Sequence, residues 1–457
     1  MVNKIVQSSQ LIVDRKEKNL RTIKYLLYIL VLTLNCQLST VNRLYGYSLL
    51  GVNNYGDMVT GFSARSIGMG STDITAANDS AALASNPAAL LNTTARKMVL
   101  SVTPGYNVFE ERRNEDGVYS EYTKMKLNDL GAASYLHFGG SDYLNRLIVG
   151  IQFHPIMDMA YKYSNKYSNK TNPGVTTLRK EESINSSGGI NELDLGLGVE
   201  IIKEIYAGFT YGILSGENPV KISRTYYNNN VPTLNYTDDR TKKYDGNCLR
   251  YGLILTKWDY LLGMFYQPAA SITTKTSGNK FYYIPSALSV PISIEEKSNL
   301  PEKFGFGFSY RFKDKYRTLF AADYVQQNWN TFTSTSTVEN GHPTGNKKQH
   351  PPGYERTQEI KVGFQHWLND WIPVRYGFRL QQFYQTWDNN VYNFYHGSYV
   401  IKTEKPAFYC ISFGSGYVLG YFDIDLGYEF GKRSYETDSE RFDEYLQKFA
   451  LTARWRW

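Results

Sequence analysis

About fourteen segments of this chain alternate apolar and polar residues over roughly ten to thirteen positions, and few folds can use strands of that length. From Leu193, the residues Leu193, Leu195, Leu197, Val199 and Ile201 alternate with Glu192, Asp194, Gly196, Gly198 and Glu200. From Phe422, Phe422, Ile424, Leu426, Tyr428 and Phe430 alternate with Asp423, Asp425, Gly427 and Glu429. Val374, Tyr376, Phe378 and Leu380 do the same against Arg375, Gly377, Arg379 and Gln381. A period of two sends one set of side chains to each face of a sheet. A soluble sandwich alternates as well, but its strands run to about five or six residues. Ten or more suits a strand tilted across a bilayer.

The connections carry the same message. Lys203–Glu204, Trp258–Asp259, Lys313–Lys315, Leu368–Ile372, Leu419–Gly420 and Gly139–Asn145 are short. Between them lie long polar stretches: Ser164–Gly189, Ser215–Gly246, Thr273–Glu302 and Thr331–Arg356. Short turns at one end and long loops at the other predict an all-β transmembrane antiparallel barrel of about fourteen strands. Composition agrees. The 457 residues include 39 Tyr and 37 Gly, and aromatics make up 15%. The mean hydropathy of −0.43 excludes a bundle of membrane helices, and so many aromatics exclude a disordered chain. Basic residues are scattered among acids, so the net charge of +7 gives no support to a nucleic-acid partner. The closing Lys448–Trp457 places Phe449, Leu451, Ala453, Trp455 and Trp457 on one face, which resembles the C-terminal signal read by the barrel-assembly machinery. That machinery and outer-membrane lipid are the expected partners. Trp367, Trp371, Trp455 and Trp457 are expected at the periplasmic edge, where amphipathic rings belong.

The N-terminal part is of another kind. Tyr25–Leu34 is an apolar run of about ten residues behind Lys18, Arg21 and Lys24, too short to span a bilayer and right for a signal-peptide core. Cys36 suggests a lipoprotein, but Asn35 stands where such a site needs a small residue. Residues 1–45 are read as signal peptide and leader, 46–96 as a plug, and 97–457 as the barrel. Ser63–Asn92 is small, Ala-rich and nearly uncharged. Gly68 and Gly70 supply a side-chain-free bend, Asn78 and Asp79 are expected to cap a turn over Ser80–Ala84, and Asn86 with Pro87 reads as a cap followed by the first helical residue.

The order Ser63-Ala64-Arg65-Ser66-Ile67-Gly68-Met69-Gly70, then Ala76-Ala77-Asn78-Asp79, then Asn86-Pro87-Ala88-Ala89-Leu90, resembles the N-terminal hatch of FadL-like outer-membrane transporters. PorV-like barrels of a type IX secretion system share the pattern. Ala89 stands where many members have glycine. The resemblance implies a Gram-negative-type outer-membrane barrel plugged by a helical hatch. It also implies uptake of hydrophobic compounds such as long-chain fatty acids or aromatic hydrocarbons, with hatch rearrangement and lateral exit through a kink in the third strand. His154 and Pro155 lie where that gate would be, since proline cannot donate to a ladder; a bulge that only adjusts curvature is the rival explanation. The alternative from another class is a PorV-like scaffold that binds secreted proteins. A non-specific porin fits poorly with a plug of about thirty residues.

The lumen-facing positions carry both signs of charge. They are expected to form a salt-bridged filling, or, in a carrier, to offer Arg375, Arg379 and Arg454 to a substrate carboxylate. The six histidines show no metal-ligand spacing, and no nucleophile motif occurs, so neither a cofactor nor an enzymatic activity is expected. Cys248 and Cys410 are expected as isolated thiols rather than a disulfide. An apolar, continuous pocket behind Pro155 favours transport, whereas a lumen sealed by ion pairs favours the scaffold.

Overall fold

The computed structural model describes residues 55–93, 98–113, 118–136, 146–169, 178–228, 231–284, 287–339, 342–349, 351, 353–393, 398–437 and 440–457. The expected leader, its apolar run, Cys36 and the Gly139–Asn145 turn lie outside the described residues.

Fourteen antiparallel strands follow one another around a closed wall. They are β1 (Met98–Arg113), β2 (Val118–Leu136), β3 (Leu147–Asp158 and Tyr161–Asn169), β4 (Leu178–Ser186 and Gly189–Ile202) and β5 (Ile205–Asn228). Next come β6 (Val231–Lys257), β7 (Tyr260–Gln267 and Ala270–Ile284), β8 (Leu288–Leu300 and Lys303–Arg311), β9 (Leu319–Gln327 and Thr333–Glu339) and β10 (His342–Gln349 and Thr357–Trp367). The last are β11 (Pro373–Gln382 and Trp387–Asn393), β12 (Ser398–Glu404 and Ala407–Leu419), β13 (Phe422–Thr437) and β14 (Glu440–Arg456). Each pairs with the next, and β14 closes on β1 from Arg456 opposite Val99 to Phe442 opposite Arg113. Each strand is laddered to a neighbour on both sides over at least part of its length, and a bilayer favours such closure because it offers no water to an open edge.

The parity reads as expected. Leu195, Leu197, Tyr376, Phe378 and Leu426 are exposed on the outer wall, while Glu192, Asp194, Arg375, Arg379, Asp423, Asp425 and Glu429 are buried inside. The short turns also fall where the sequence puts them. The long polar stretches do not become loops. Much of Ser215–Gly246 and Thr273–Glu302 continues as ladder, with β5 and β6 paired up to Asn228 opposite Val231. Polar residues on both faces hid these extensions, because above the membrane neither face needs to be apolar. Several strands break where they rise past the apolar belt, and Pro268, Pro301 and Pro406 stand in the breaks of β7, β8 and β12. A residue with no N–H interrupts a ladder there at little cost.

Tyr55–Thr93 lies within the barrel and is buried almost throughout. It contains helix α1 (Ala64–Gly68), helix α2 (Ala82–Ser85) and a 3-10 turn, Pro87–Asn92. Asn86 caps the last of these, its side chain accepting from the Ala88 amide at 3.2 Å. Asp79 accepts from the Ala81 amide at 3.1 Å, while Asn78 reaches instead to Arg454. Ser63 caps α1, a role the sequence reading had not assigned.

The wall touches this hatch through glycine. A Cβ on Gly131, Gly208, Gly252, Gly363, Gly377 or Gly427 would come closer than 3.0 Å to hatch atoms, and one on Gly414 would reach Gly68. Gly70 sits at φ +66°, with the Val362 and Phe378 carbonyls where a side chain would be. Glycines on opposite sides of the wall thus let two backbones meet.

Replacing Gly377 with valine is expected to destabilise the barrel by about 1–3 kcal/mol, the usual cost of overpacking. Urea unfolding in detergent micelles measures this. Trypsin is expected to spare the buried Arg65 of the wild type and to cleave there in the variant.

Candidate functional site

Above and around the hatch the lumen is filled in two ways, by ion pairs and by aromatic rings. Arg375 lies 2.6 Å from Asp425. Arg454 lies 2.9 Å from Asp425, 3.3 Å from Asp423 and 3.6 Å from Asp79 of the hatch. Arg379 pairs with Glu429 at 2.7 Å, and Lys448 meets the same carboxylate at 3.2 Å. All three arginines singled out in the sequence are therefore engaged by protein carboxylates. Arg433, not singled out, ties Asp57 at 2.9 Å to Glu444 at 2.6 Å. Its place in the inward parity of β13 was the available signal.

The hatch is bound to the wall by polar contacts as well. Asp323 of β9 accepts from the Asp73 and Ile74 amides at 2.7 and 3.0 Å. Thr452 accepts from the Ala64 amide at 2.7 Å, and Ser412 from the Gly70 amide at 2.9 Å. Inside the hatch, burial pushes the Asp73 carboxyl up, opposed by the hydrogen bond that Ser66 donates. Burial, with Arg375 and Arg454 nearby, pushes the Arg65 guanidinium down to about 10.

At the long-hairpin end a buried aromatic cluster lies against the start of the hatch. Trp329 stacks on Tyr384 with centroids 4.0 Å apart, and Phe332, Tyr354 and Phe383 pack around them. Tyr384 donates its hydroxyl hydrogen to the Gly56 carbonyl at 3.0 Å and accepts from the Tyr55 amide at 2.9 Å, so the cluster holds the start of the hatch. These residues sit in the breaks of β9, β10 and β11; Phe332 and Tyr354 fall in the stretch Thr331–Arg356 that the sequence had read as a loop.

His154 and Pro155 stand at a parting in the wall. The ladder between β2 and β3 runs from Leu136 opposite Leu147 to Leu130 opposite Phe153 and stops. On the other side β3 keeps its partner, with Pro155 opposite Asn191, Met157 opposite Ile190 and a bulge between them. Behind the parting lies a cavity of about 80 Å³. Phe62, Ile156 and Met157 give it an apolar side; His154, Glu192, Arg250, Lys303, Glu359 and several glutamines give it a polar one. That volume holds about five to eight waters, not an alkyl chain.

His154, Glu192 and Asp194 bring ligand atoms within 4.8 Å of one another. Arg250 lies 3.1 Å from Glu192 and 3.4 Å from Asp194, supplying the positive charge that a divalent ion would bring. The group is an ion-pair cluster. Cys248 and Cys410 are buried free thiols.

A family model described as BamG matches residues 21–455. The chain belongs to the BamG family. No curated protein matches it in sequence. Among solved structures, it is similar to a FadL homologue of Pseudomonas aeruginosa, with a TM-score of 0.59, 14% identity and coverage of 88% of this chain and 99% of that one. It is also similar to the toluene transporter TodX of P. putida, at 0.55, 13%, 88% and 99%. The toluene transporter TbuX of Ralstonia pickettii matches at 0.52, 13%, 87% and 99%. At such identities the likeness is one of fold: that of a FadL-like outer-membrane β-barrel.

Arg379→Met, which strips Glu429 of its nearer partner, is expected to cost about 3–5 kcal/mol. Adding Glu429→Gln is expected to return part of that loss, because the carboxylate left with Lys448 alone then carries no charge. Urea midpoints for the two single variants and the double variant check this.

Proposed function

We propose that this barrel acts in the outer membrane as a closed scaffold associated with barrel assembly, and not as an enzyme or an open conduit. The observation that carries the reading is the packing of the lumen among the described residues: a hatch in backbone contact with the wall, buried ion pairs around it, an aromatic cluster against its start, and behind the parting a cavity of about 80 Å³. The name of the family, BamG, supports association with barrel assembly over the PorV-like role in type IX secretion. The aromatic C-terminal strand supports it too, with Phe449, Leu451 and Trp457 exposed to lipid or to a neighbour. The division into leader (1–45), hatch (46–96) and barrel (97–457) belongs to this reading.

A second reading is uptake of hydrophobic compounds, such as long-chain fatty acids or aromatic hydrocarbons, through hatch rearrangement and lateral exit. Its specific support is the parting of β2 from β3 beside His154 and Pro155, on a fold shared with toluene transporters. For a fatty-acid cargo, Arg375, Arg379 or Arg454 would exchange a protein carboxylate for that of the cargo. The cost is that of parting a buried pair.

Two measurements separate the readings. Affinity isolation of the tagged full chain from outer membranes in mild detergent is expected to bring barrel-assembly components with it. Accumulation of radiolabelled palmitate or toluene by whole cells is expected to be the same with and without the chain. Accumulation that depends on the chain, with no assembly component retained, overturns the scaffold.

A further inference from the structure

The parting of β2 from β3 presents backbone as well as a gap. Beyond Leu130, β2 continues to pair with β1 through Leu127, Lys126 and on to Val118. Among the described residues it makes no ladder with β3 over that length. One edge of β2 from Thr123 to Asp129 therefore turns its amides and carbonyls toward the gap.

The facing edge of β3 shows how such an edge is used. Asp57–Met58 pairs antiparallel with Asp158 and Met157, and the Val59 amide donates to the Ile156 carbonyl at 2.9 Å. These residues of β3 pair with β4 on their other side, so the hatch segment occupies the side that faces β2. A short extended piece of this same chain already binds in the parting by backbone pairing, and it covers two residues.

The side chains of β2 set the chemistry. Met125 and Leu130 are exposed on the lipid side. Lys124 and Lys126 turn inward and lie 3.7 and 3.6 Å from Asp158. Both ammonium groups meet Asp158 there, so the inner side of the edge from Lys124 to Lys126 presents lysine to whatever lies beside it. Asp129, further down the strand, is held by Gln152 and Ser101. A strand laid along this edge is matched when its outward residues are apolar and its inward residues acidic.

We infer that the β2 edge from Thr123 to Asp129 is a β-augmentation site for an extended peptide segment in which apolar and acidic residues alternate. Main-chain hydrogen bonds supply the attachment, and Lys124 and Lys126 select the inward side chains. The inference rests on the scaffold reading and names the kind of partner the scaffold holds. Small apolar cargo gains nothing from a row of amides, whereas an extended peptide satisfies them.

The test uses the purified full chain in lipid nanodiscs. A photo-crosslinking phenylalanine analogue stands at Met125, or at Ile360 on another part of the outer wall as control. The probe is a fluorescent ten-residue peptide of alternating valine and glutamate. One companion peptide carries N-methyl groups on the amides of one edge, and another has lysine for glutamate. Crosslinking at Met125 is expected to exceed that at Ile360 at least about tenfold. It is expected to fall by a similar factor with N-methylation, the equivalent of one or two net backbone hydrogen bonds. The lysine peptide is expected to crosslink less than the glutamate peptide. Equal yields at the two positions, or no loss on N-methylation, overturn the augmentation site. Co-isolation of assembly components from cells is scored separately. If it persists while the peptide fails, only this site falls; if it is absent from the wild type, the scaffold reading falls.

Discussion

The close approach of hatch backbone to wall backbone is the contact on which the rest of this barrel depends. A fourteen-stranded wall encloses more space than its own side chains would fill if the lumen were to be closed. The chain fills that space with its own N-terminal segment, made of small residues so that it fits. The wall answers with glycine on strand after strand, and with Ser412, Thr452 and Asp323 to receive the hatch amides. A glycine in a strand interior costs conformational entropy and packs no side chain. Here that cost is offset by contact between two backbones, and it explains why a strand-rich chain carries 37 glycines.

Charge has a different part. Arg375, Arg379, Arg433 and Arg454 each meet at least one carboxylate inside the wall, and Asp57 and Asp79 bring the hatch into the same network. Buried pairs of this kind add little net stability, since desolvation consumes most of their attraction, but breaking one is expensive. They make the hatch position all-or-none. Between β2 and β3 the wall relaxes, and there Lys124, Lys126 and Asp158 stand where a ladder would be.

Much of this was legible in the sequence because membrane strands must be long and must alternate. Glu192, Asp194 and Asp425 announced the lumen face, and Pro155 marked the bulge in β3, since both follow from local chemistry. Asn86 and Asp79 announced their turns for the same reason. What stayed hidden depends on partners far away in sequence. Trp329 and Tyr384 look like unremarkable aromatics until the breaks of β9 and β11 fold them against each other. That Arg379 sits among ion pairs was expected, but its partner, Glu429 two strands away, shows only in the fold. The strand extensions of β5 and β6 were invisible because their stability comes from pairing alone, with no apolar face to set a pattern.

The central claim is that hatch and wall form one packed body. Hydrogen exchange of the full chain in nanodiscs, followed peptide by peptide, tests it most directly. The account predicts that the amides of Tyr55–Thr93 exchange as slowly as those of the spanning strands, because they open only when the barrel does. Hatch amides that exchange freely while the strands stay protected would contradict it.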